Sequence, residues 1–326
     1  MIVRYLLKNE ISKFQKLVKF FYKKNHVLAS SKKLVNFYYN FYNNKKLYLI
    51  GLFNKKELMS VMGLMPYKNW DKKLEDAYHI AFWVKKNKLI NSLLLFKFIF
   101  NKINPKFLAS SGIDTKTSGK VFEFFGKIKI FNNYFIKNDQ LKSKISKYLK
   151  NRSNNFHKKK KLEMIYGSTL KKLPVYFYKP KKSLKYFVNK YLKNPFYSYF
   201  VMKFFYKKKL TFFFIYREIK IKKFNVKIVR VIDFYGTIKK NYSIYNSVQE
   251  FLKINNYEYI DFPSIGIEQE LVNIGFTKNK NHFLPEFFEP YLNKDIIRNY
   301  CILKNNYKSK VIMVKGDGDG DRPNLT

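Results

Sequence analysis

Cysteine is almost absent from this chain of 326 residues, which contains one, Cys301. A single cysteine excludes an intramolecular disulfide and a zinc site built from cysteines. Long apolar runs are absent too, because the run at residues 93–96 stops at Lys97, far short of the roughly 18 residues that cross a bilayer. The first eight residues lack the apolar region and cleavage site of a secretion signal. These absences predict a cytoplasmic protein without a membrane-spanning helix.

Arginine and acidic residues are scarce. Only six of the 66 basic residues are arginines, and 22 acidic residues leave a formal net charge of +44. A surface selected to bind phosphate would use the bidentate guanidinium more often, so the lysine excess favours an AT-rich coding bias over selection by nucleic acid. We expect no specific nucleic-acid partner. The charge still favours anionic partners, such as nucleotides, sugar phosphates or an anionic membrane surface.

Apolar and aromatic residues are plentiful, at 46% and 19% of the chain, which predicts a folded protein of about two domains. Hydrophobic periodicity in the first half predicts a strand and a helix, three successive strands, an amphipathic helix, and then a strand, a short helix and a strand. These strands are expected at residues 1–7, 47–53, 58–65, 77–84, 107–110 and 129–136, and the two later helices at 93–99 and 121–125.

The second half repeats this plan. Its strands are expected at residues 210–221, 226–235, 257–262, 300–303 and 311–314, and its helices at 244–254 and 268–274. Between the halves, residues 138–165 contain nine basic residues, four of them consecutive lysines, and predict a linker. We therefore expect an N-terminal repeat at residues 1–137, a basic linker at 138–165 and a C-terminal repeat with an acidic tail at 166–326.

A short motif supports an internal duplication. Residues 107–114 and 259–268 both break a strand at a serine that precedes glycine, isoleucine and an acid, with one extra isoleucine after the serine in the second copy. A short helix follows each. Gly126 and Gly275 then precede the next strand, where glycine permits a left-handed helix end. Chance similarity in a biased composition is the alternative, but the shared order of elements favours duplication.

This order of elements resembles the GNAT-type N-acyltransferase fold, an α/β fold with a mixed sheet. Two copies in tandem resemble double-GNAT proteins, including the Fem-type aminoacyl transferases. The C-terminal half adds three distinctive segments, at residues 231–236 (VIDFYG), 283–291 (FLPEFFEPY) and 315–324 (KGDGDGDRPN). The last two resemble segments of bacterial GNAT-like proteins associated with surface-polysaccharide biosynthesis.

The resemblance implies an acyl-CoA cofactor, with acetyl-CoA as the first expectation. In this fold two parallel strands diverge, and the amide chain of the cofactor pairs with an exposed strand edge. The usual glycine-containing phosphate loop is missing at residues 86–92, and the second half keeps one glycine, so Tyr235 and Gly236 are the expected cofactor contacts. The family's frequent tyrosine acid corresponds to Phe122 and Leu271, which cannot donate a proton.

Candidate catalytic groups lie in the second half. Acyl transfer to an amine needs a carboxylate or imidazole that takes a proton, and Asp233, Glu286 and Glu289 are the catalytic candidates. His282, which flanks the same turn as the two glutamates, and Asp261, at a predicted strand end, are candidate substrate contacts. Surface exposure of His282 and turn capping by Asp261 are the structural alternatives.

The acidic tail completes the candidate site. Asp317, Asp319 and Asp321 have the spacing of an EF-hand loop, but Arg322 stands where glycine is needed and no glutamate follows, so we assign no metal. Together with Arg322, the three acids predict a substrate-binding element. The acids would orient an ammonium or hydroxyl groups while the arginine meets a phosphate or carboxylate.

These observations predict an N-acyltransferase that acts on a nucleotide-linked or lipid-linked amino sugar of a surface glycan. Two alternatives remain open. One is a Fem-like transferase that uses aminoacyl-tRNA, for which the basic surface would be functional. The other is a GNAT-like binding protein without catalysis.

Overall fold

The computed structural model describes residues 1–22, 25–40, 45–71, 75–85, 91, 93–113, 115, 119–146, 150–151, 159–279, 284–285 and 299–321. The chain divides into two compact units. Unit 1 comprises Met1–Ile130, Arg298–Lys308 and Gly318–Thr326. Unit 2 comprises Phe131–Ile297 and Ser309–Asp317. Each unit is therefore built from both sequence halves.

Each unit contains one large sheet, of seven strands in unit 1 and eight in unit 2. In chain order the strands are β1 (Ile2–Leu7), β2 (Lys46–Asn54), β3 (Glu57–Pro66), β4 (Ala77–Val84), β5 (Phe107–Ser111), β6 (Ile128–Ile130), β7 (Asn132–Lys137), β8 (Lys160–Lys161), β9 (Glu163–Gly167), β10 (Phe200–Tyr206), β11 (Lys209–Ile221), β12 (Val226–Gly236), β13 (Tyr242–Ser243), β14 (Tyr257–Ile265), β15 (Thr277–Lys278), β16 (Asn299–Asn305) and β17 (Met313–Val314).

The sheet of unit 1 has the order β1-β2-β3-β4-β5-β16-β6. Strands β1 to β4 are antiparallel neighbours, β4 and β5 are parallel, and β16 is antiparallel to both β5 and β6. Strands β2 and β3 are buried along almost their whole length, which agrees with their nearly continuous apolar sequence. Lys55 adopts a positive φ of 51° in the tight turn between them.

The main path of the unit 2 sheet has the order β9-β10-β11-β12-β14-β7-β15, and β17 pairs with β14 beside this path. Again the first four strands are antiparallel, the fourth and fifth are parallel, and the last two pairings are antiparallel. The long strands β11 and β12 are rich in aromatic and β-branched residues and are largely buried, as such residues favour a packed sheet. The two sheets thus have the same order and directions.

The sixth position of each sheet is filled from the other sequence half. β16 from the C-terminal half lies between β5 and β6, and β7 from the N-terminal half lies between β14 and β15. Two predictions are therefore wrong in detail. The strand expected at 129–136 is interrupted at Phe131, and its two parts, β6 and β7, join different sheets. The strand expected at 300–303 joins the sheet of the first half, because pairing partners are not encoded by local pattern.

Eight α-helices are described, and three of them widen into π-helical turns. They are α1 (Ile11–Leu17), α2 (Val27–Ser30), α3 (Lys32–Tyr39), α4 (Leu93–Phe98), α5 (Gly119–Glu123), α6 (Leu184–Phe187), α7 (Tyr245–Ile254) and α8 (Glu268–Ile274). The π-helical turns follow α1, α4 and α6. Among the described residues, no helix has the length and apolar character needed to cross a bilayer.

The described residues of the predicted linker, 138–165, are bonded to unit 2. The buried carboxylate of Glu258 accepts hydrogen bonds from three successive backbone N–H groups, those of Lys144, Ile145 and Ser146, at 3.0, 2.9 and 2.6 Å. Strand β8 pairs with β13, and β9 forms an edge of the large sheet. The division into repeats at 1–137 and 166–326 stays a prediction, because strand exchange makes the compact units differ from any linear division.

Candidate functional site

The parallel strands β12 and β14 of unit 2 diverge, and a later segment of the chain lies between them. Their paired register ends at Arg230 and Asp261, although both strands continue. Beyond that point β17 pairs with β14, and the Lys315 N–H donates to Pro263 O at 3.3 Å. On the other side the Gly316 N–H donates to Ile232 O of β12 at 2.8 Å. The edge of β12 is thus bonded to the chain itself.

Glycine is required at position 316 by this close approach. A Cβ atom there would overlap the Tyr191 hydroxyl oxygen and would lie 2.7 Å from Ile232 Cγ2 and 2.8 Å from Ile232 O. Two of these three atoms belong to β12, which cannot move without breaking the sheet. The sequence KGDGDG places this glycine directly before Asp317.

A buried lysine joins two of the predicted site residues. Lys182 Nζ donates to Asp233 Oδ1 and Oδ2 at 2.7 and 2.9 Å and to Asp317 Oδ1 at 2.8 Å. The three residues are 5%, 0% and 1% exposed, so this is a desolvated group of one cation and two carboxylates. Burial alone would lower the pKa of Lys182, but the facing carboxylates raise it above its ordinary value and keep the side chain charged.

Further donors complete the partners of these carboxylates. The Tyr191 hydroxyl donates to Asp233 Oδ2 at 2.7 Å, and the Phe234 N–H donates to Asp233 Oδ1 at 2.7 Å. The Val314 N–H donates to Asp317 Oδ2 at 2.8 Å. Each carboxylate oxygen therefore has a donor. Asp233 is placed to hold the segment 313–317 on β12, and a catalytic role for it stays a prediction.

A second buried lysine fixes the same segment. Lys190 Nζ donates to Gly316 O at 2.5 Å and to the Tyr186 hydroxyl oxygen at 2.9 Å, and Lys190 is 3% exposed. Both lysines come from residues 182–192, where α6 begins behind an N-cap at Ser183. Sequence patterns did not identify Lys182 or Lys190, because nothing local distinguishes them from the many other lysines of the chain.

The corresponding strands of unit 1, β4 and β5, also diverge. Their parallel register runs from Ala77 and Phe107 to Ile80 and Ser110, after which β4 continues through 81–84. In the described part of unit 1, no strand lies between their ends. Three of the four residues at 81–84 are half-buried, whereas the end of β12 is buried throughout. The residues at the end of β4 are therefore more exposed than those at the end of β12.

His79 lies at the point where β4 and β5 separate. Its Nε2 is 3.0 Å from the Ser111 hydroxyl oxygen of β5, so the two polar side chains bridge the strands. Gly318, which also belongs to unit 1, lies against the imidazole with a φ of +63°, and a Cβ atom there would overlap the ring. His79 is 1% exposed. Sequence patterns did not identify His79 as a site residue.

Asp261 forms a buried ion pair. Arg230 donates to it through Nε at 3.0 Å and through Nη2 at 2.6 Å, and both side chains are almost fully buried. Asp261 lies within β14 and not at its end, so it does not cap the turn that follows the strand. The pair joins β12 to β14 at the last position where the two strands remain in register.

Packing accounts for the conformations of Tyr235 and Gly236. The Tyr235 ring stacks on Tyr176 with centroids 4.0 Å apart and planes 13° apart. Gly236 has a φ of +128°, and a Cβ atom there would overlap Phe212 of the neighbouring strand. These packing contacts do not test the predicted role of Tyr235 and Gly236 as cofactor contacts, which stays a prediction.

The tail acids divide between the two units. Asp317 belongs to unit 2, and Asp319 and Asp321 belong to unit 1, where both are buried. His282, Glu286, Glu289 and Arg322 lie outside the described residues. Within the described ranges, no group of histidine, cysteine and acidic side chains has metal-binding geometry.

No protein-family model matches the sequence. No curated protein matches it either. Among solved structures, a probable N-acyltransferase of unknown function from Enterococcus faecalis matches 93% of this chain and 73% of its own, with a TM-score of 0.51 and 8% identity.

Two GCN5-related N-acetyltransferases also cover 93% of this chain. The protein from Anabaena variabilis matches over 73% of its own length with a TM-score of 0.48 and 9% identity. The protein from Kribbella flavida matches over 72% of its own length with a TM-score of 0.47 and 7% identity. The two mixed sheets, together with the similarity to the Enterococcus faecalis protein, confirm the predicted architecture: this chain has the GNAT-type N-acyltransferase fold.

Proposed function

We propose that this protein is an N-acyltransferase that binds acyl-CoA along the edge of β4 in unit 1. The observation that carries the proposal is the contrast between the two diverging strand pairs. In unit 2 the edge of β12 accepts a hydrogen bond from Gly316 of the same chain, whereas in unit 1 the described residues leave the edge of β4 at 81–84 without such a segment.

The physical basis is strand addition. The pantetheine arm of CoA carries two amides, and an extended amide chain binds best to a strand edge whose N–H and C=O groups lack a neighbouring strand. The segment 313–316 makes this kind of contact in unit 2, so it occupies there the place that the pantetheine arm of acyl-CoA would take. One donor site per chain follows from this difference. Sequence patterns favoured the second half, and this placement departs from that prediction.

The predicted acceptor contacts are compatible with a site in unit 1. Asp319 and Asp321 belong to that unit, and Asp319 directly follows Gly318, which packs on His79 of β4. Asp319 and Asp321 stay the predicted contacts for the ammonium of an amine acceptor. The amine must lose a proton as it attacks the thioester carbonyl. Asp233, Glu286 and Glu289 stay sequence predictions for this base, and all three belong to unit 2.

We further propose that the acceptor is an amino sugar linked to a nucleotide or a lipid through phosphate. The support is the resemblance of residues 283–291 and 315–324 to segments of surface-polysaccharide proteins, together with a net charge of +44 that attracts phosphates. Acetyl is the proposed acyl group.

Donor binding can be tested with a matched pair of substitutions. Ser111 and Ile265 are the last residues of β5 and β14, and both are half-buried. Ser111→Trp places bulk where the strands of unit 1 separate and should weaken acetyl-CoA binding about tenfold or more, equivalent to at least about 1.4 kcal/mol. Ile265→Trp should leave binding unchanged. Isothermal titration should give one site per chain, and a loss restricted to Ile265→Trp would place the donor in unit 2.

The acceptor can be tested by thermal shift with acetyl-CoA, UDP-linked amino sugars and aminoacyl-tRNA. A true ligand at 100 times its dissociation constant stabilises the protein by about 2.7 kcal/mol. Stabilisation by a UDP-amino sugar, followed by release of the CoA thiol in a turnover assay, is the expected result. Stabilisation by aminoacyl-tRNA alone would favour the Fem-like alternative. Donor binding without turnover on any amine would favour the binding-protein alternative.

A further inference from the structure

Three chain segments of unit 2 bring seven exposed lysines together. The segments are β8, the turn between β10 and β11, and the loop before β13. Their exposed lysines, called here the lysine cluster, are Lys160, Lys161, Lys207, Lys208, Lys209, Lys239 and Lys240. The residues that accompany them in the segments 206–209 and 239–243 are neutral, and one acid, Glu163, follows Lys161 by two residues.

Direct contacts show that the three segments are neighbours. Lys160 pairs with Tyr242 in the β8–β13 ladder, and the Lys160 N–H donates to Asn241 O at 2.9 Å. The centroids of the Tyr206 and Tyr242 rings lie 5.4 Å apart. Lys160 Nζ lies 5.2 Å from the centroid of the Tyr206 ring. Lys207 Nζ lies 5.8 Å from the same ring. The Tyr206 ring therefore lies beside lysines from two of the three segments.

Seven like charges in one place repel each other. In the described part of the chain, no carboxylate forms an ion pair with any lysine of the cluster. Surface lysines elsewhere do form such pairs, for example Lys85 with Glu57 at 2.5 Å and Lys310 with Glu270 at 2.7 Å. An unbalanced cluster of this size favours a partner that presents several negative charges at once.

The chemistry of the cluster favours a lipid surface over nucleic acid. It contains no arginine for bidentate phosphate contacts. It offers no free aromatic face for base stacking either, because Tyr242 is buried and Tyr206 is half-buried beneath the lysines. Lys207 and Lys208 lie at a tight turn, both with positive φ, and project their charges from its tip. The cluster therefore recognises a high density of negative charge and not a nucleotide sequence.

We propose that the lysine cluster is a docking surface for an anionic membrane. Each lysine near such a surface contributes to binding through attraction that decays within a Debye length. Because the cluster has no exposed apolar side chain to insert, binding is electrostatic, reversible and lost at high salt. The surface is distinct from the strand edge proposed for acyl-CoA, so either proposal can fail without the other. If both hold, a lipid-linked acceptor is favoured over a nucleotide-linked one.

The experiment compares two variants of equal net charge. The cluster variant carries Lys207→Gln, Lys208→Gln, Lys239→Gln and Lys240→Gln. The control carries Lys55→Gln, Lys56→Gln, Lys102→Gln and Lys120→Gln, four exposed lysines of unit 1, of which the first two also form a hairpin turn. Binding is measured by co-sedimentation with vesicles of phosphatidylcholine, alone or mixed with phosphatidylglycerol. Acetyl-CoA binding is measured in parallel and should be unchanged in both variants.

The wild-type chain should bind the phosphatidylglycerol vesicles and not the neutral ones. At about fivefold per lysine, the cluster variant should bind roughly 600-fold more weakly, and the control nearly as well as wild type. Equal losses in the two variants would assign binding to overall charge and overturn the proposal. Absence of wild-type binding at physiological salt would overturn it as well. Preferential capture of a single-stranded RNA oligonucleotide in competition with the vesicles would reassign the surface to nucleic acid.

Discussion

Two buried lysines show why a lysine-rich composition makes some important residues impossible to identify from sequence. Lysine is rarely buried in proteins, yet Lys182 and Lys190 are 5% and 3% exposed because carboxylates, a carbonyl and hydroxyl groups surround their ammonium groups. With so many lysines in the chain, no property of the sequence marks these two. Asp233 and Asp317 were identifiable, because acids are scarce and each lies in a distinctive segment. Lys182, which pairs with both carboxylates, was not identifiable.

Gly316 provides a test of the close packing in unit 2. Gly316→Ala should destabilise the protein by about 1–3 kcal/mol, because the added methyl group overlaps the Tyr191 hydroxyl and approaches the Ile232 carbonyl. Gly167→Ala is the control, since a Cβ atom at position 167 meets no atom within 4 Å. Urea denaturation measures both. Equal stability of the two variants would mean that the segment 313–317 does not pack on β12 in solution.

Elements were predicted best where their own sequence is decisive. The strands expected at 47–53, 58–65 and 77–84 agree with β2, β3 and β4 to within one residue at each end, because β-branched and aromatic runs bounded by turns need no distant partner to be recognised. The same holds for α7 and α8. Strands β9 and β10 were missed, since β9 begins inside the lysine-rich stretch that favoured a linker.

The pairing of elements was predicted less well. Local pattern could not show that the strand expected at 129–136 is interrupted at Phe131, because both parts have the alternation of a strand. It also could not show that residues 313–316 lie between β12 and β14. That position depends on Lys182, which reaches the segment from elsewhere in the chain.

The buried charges that hold this segment can be separated experimentally from its shape. Lys182→Met leaves two carboxylates facing each other without their cation and should destabilise the protein by about 3–5 kcal/mol. The triple variant Lys182→Met, Asp233→Asn and Asp317→Asn removes all three charges and should recover most of that loss. Denaturant unfolding measures both variants. If the triple variant were as unstable as Lys182→Met, the ion group would contribute to the free energy of unfolding beyond neutralising its own buried charges.

At the scale of the whole molecule, two sheets with one order and one pattern of directions support the proposed duplication. The Ser-Gly-Ile-acid motif indicated the repeat from sequence, but it lies in one part of each half and carries no information on strand exchange. The fold class could therefore be predicted, whereas the composition of the two units could not. For the proposed site, the tail acids stay sequence predictions, and the strand edge of unit 1 became visible only through the comparison of the two paired registers.

Strand exchange predicts that the two halves cannot fold separately. Residues 1–150 alone lack β16, which pairs with both β5 and β6, and they carry β7 without its sheet. Residues 151–326 alone lack β7, which pairs with both β14 and β15. Each fragment should therefore show no cooperative unfolding transition, because a missing internal strand leaves two rows of backbone groups unpaired.

The two fragments produced together should associate, co-purify and regain one cooperative transition, since each supplies the strand that the other lacks. A full-length chain with a protease site inserted at 150–151 is the control, and its two pieces should stay together after cleavage. Circular dichroism and size-exclusion chromatography measure these outcomes. Cooperative folding of either fragment alone would contradict the exchange and would favour two independent domains with boundaries near those predicted from the sequence.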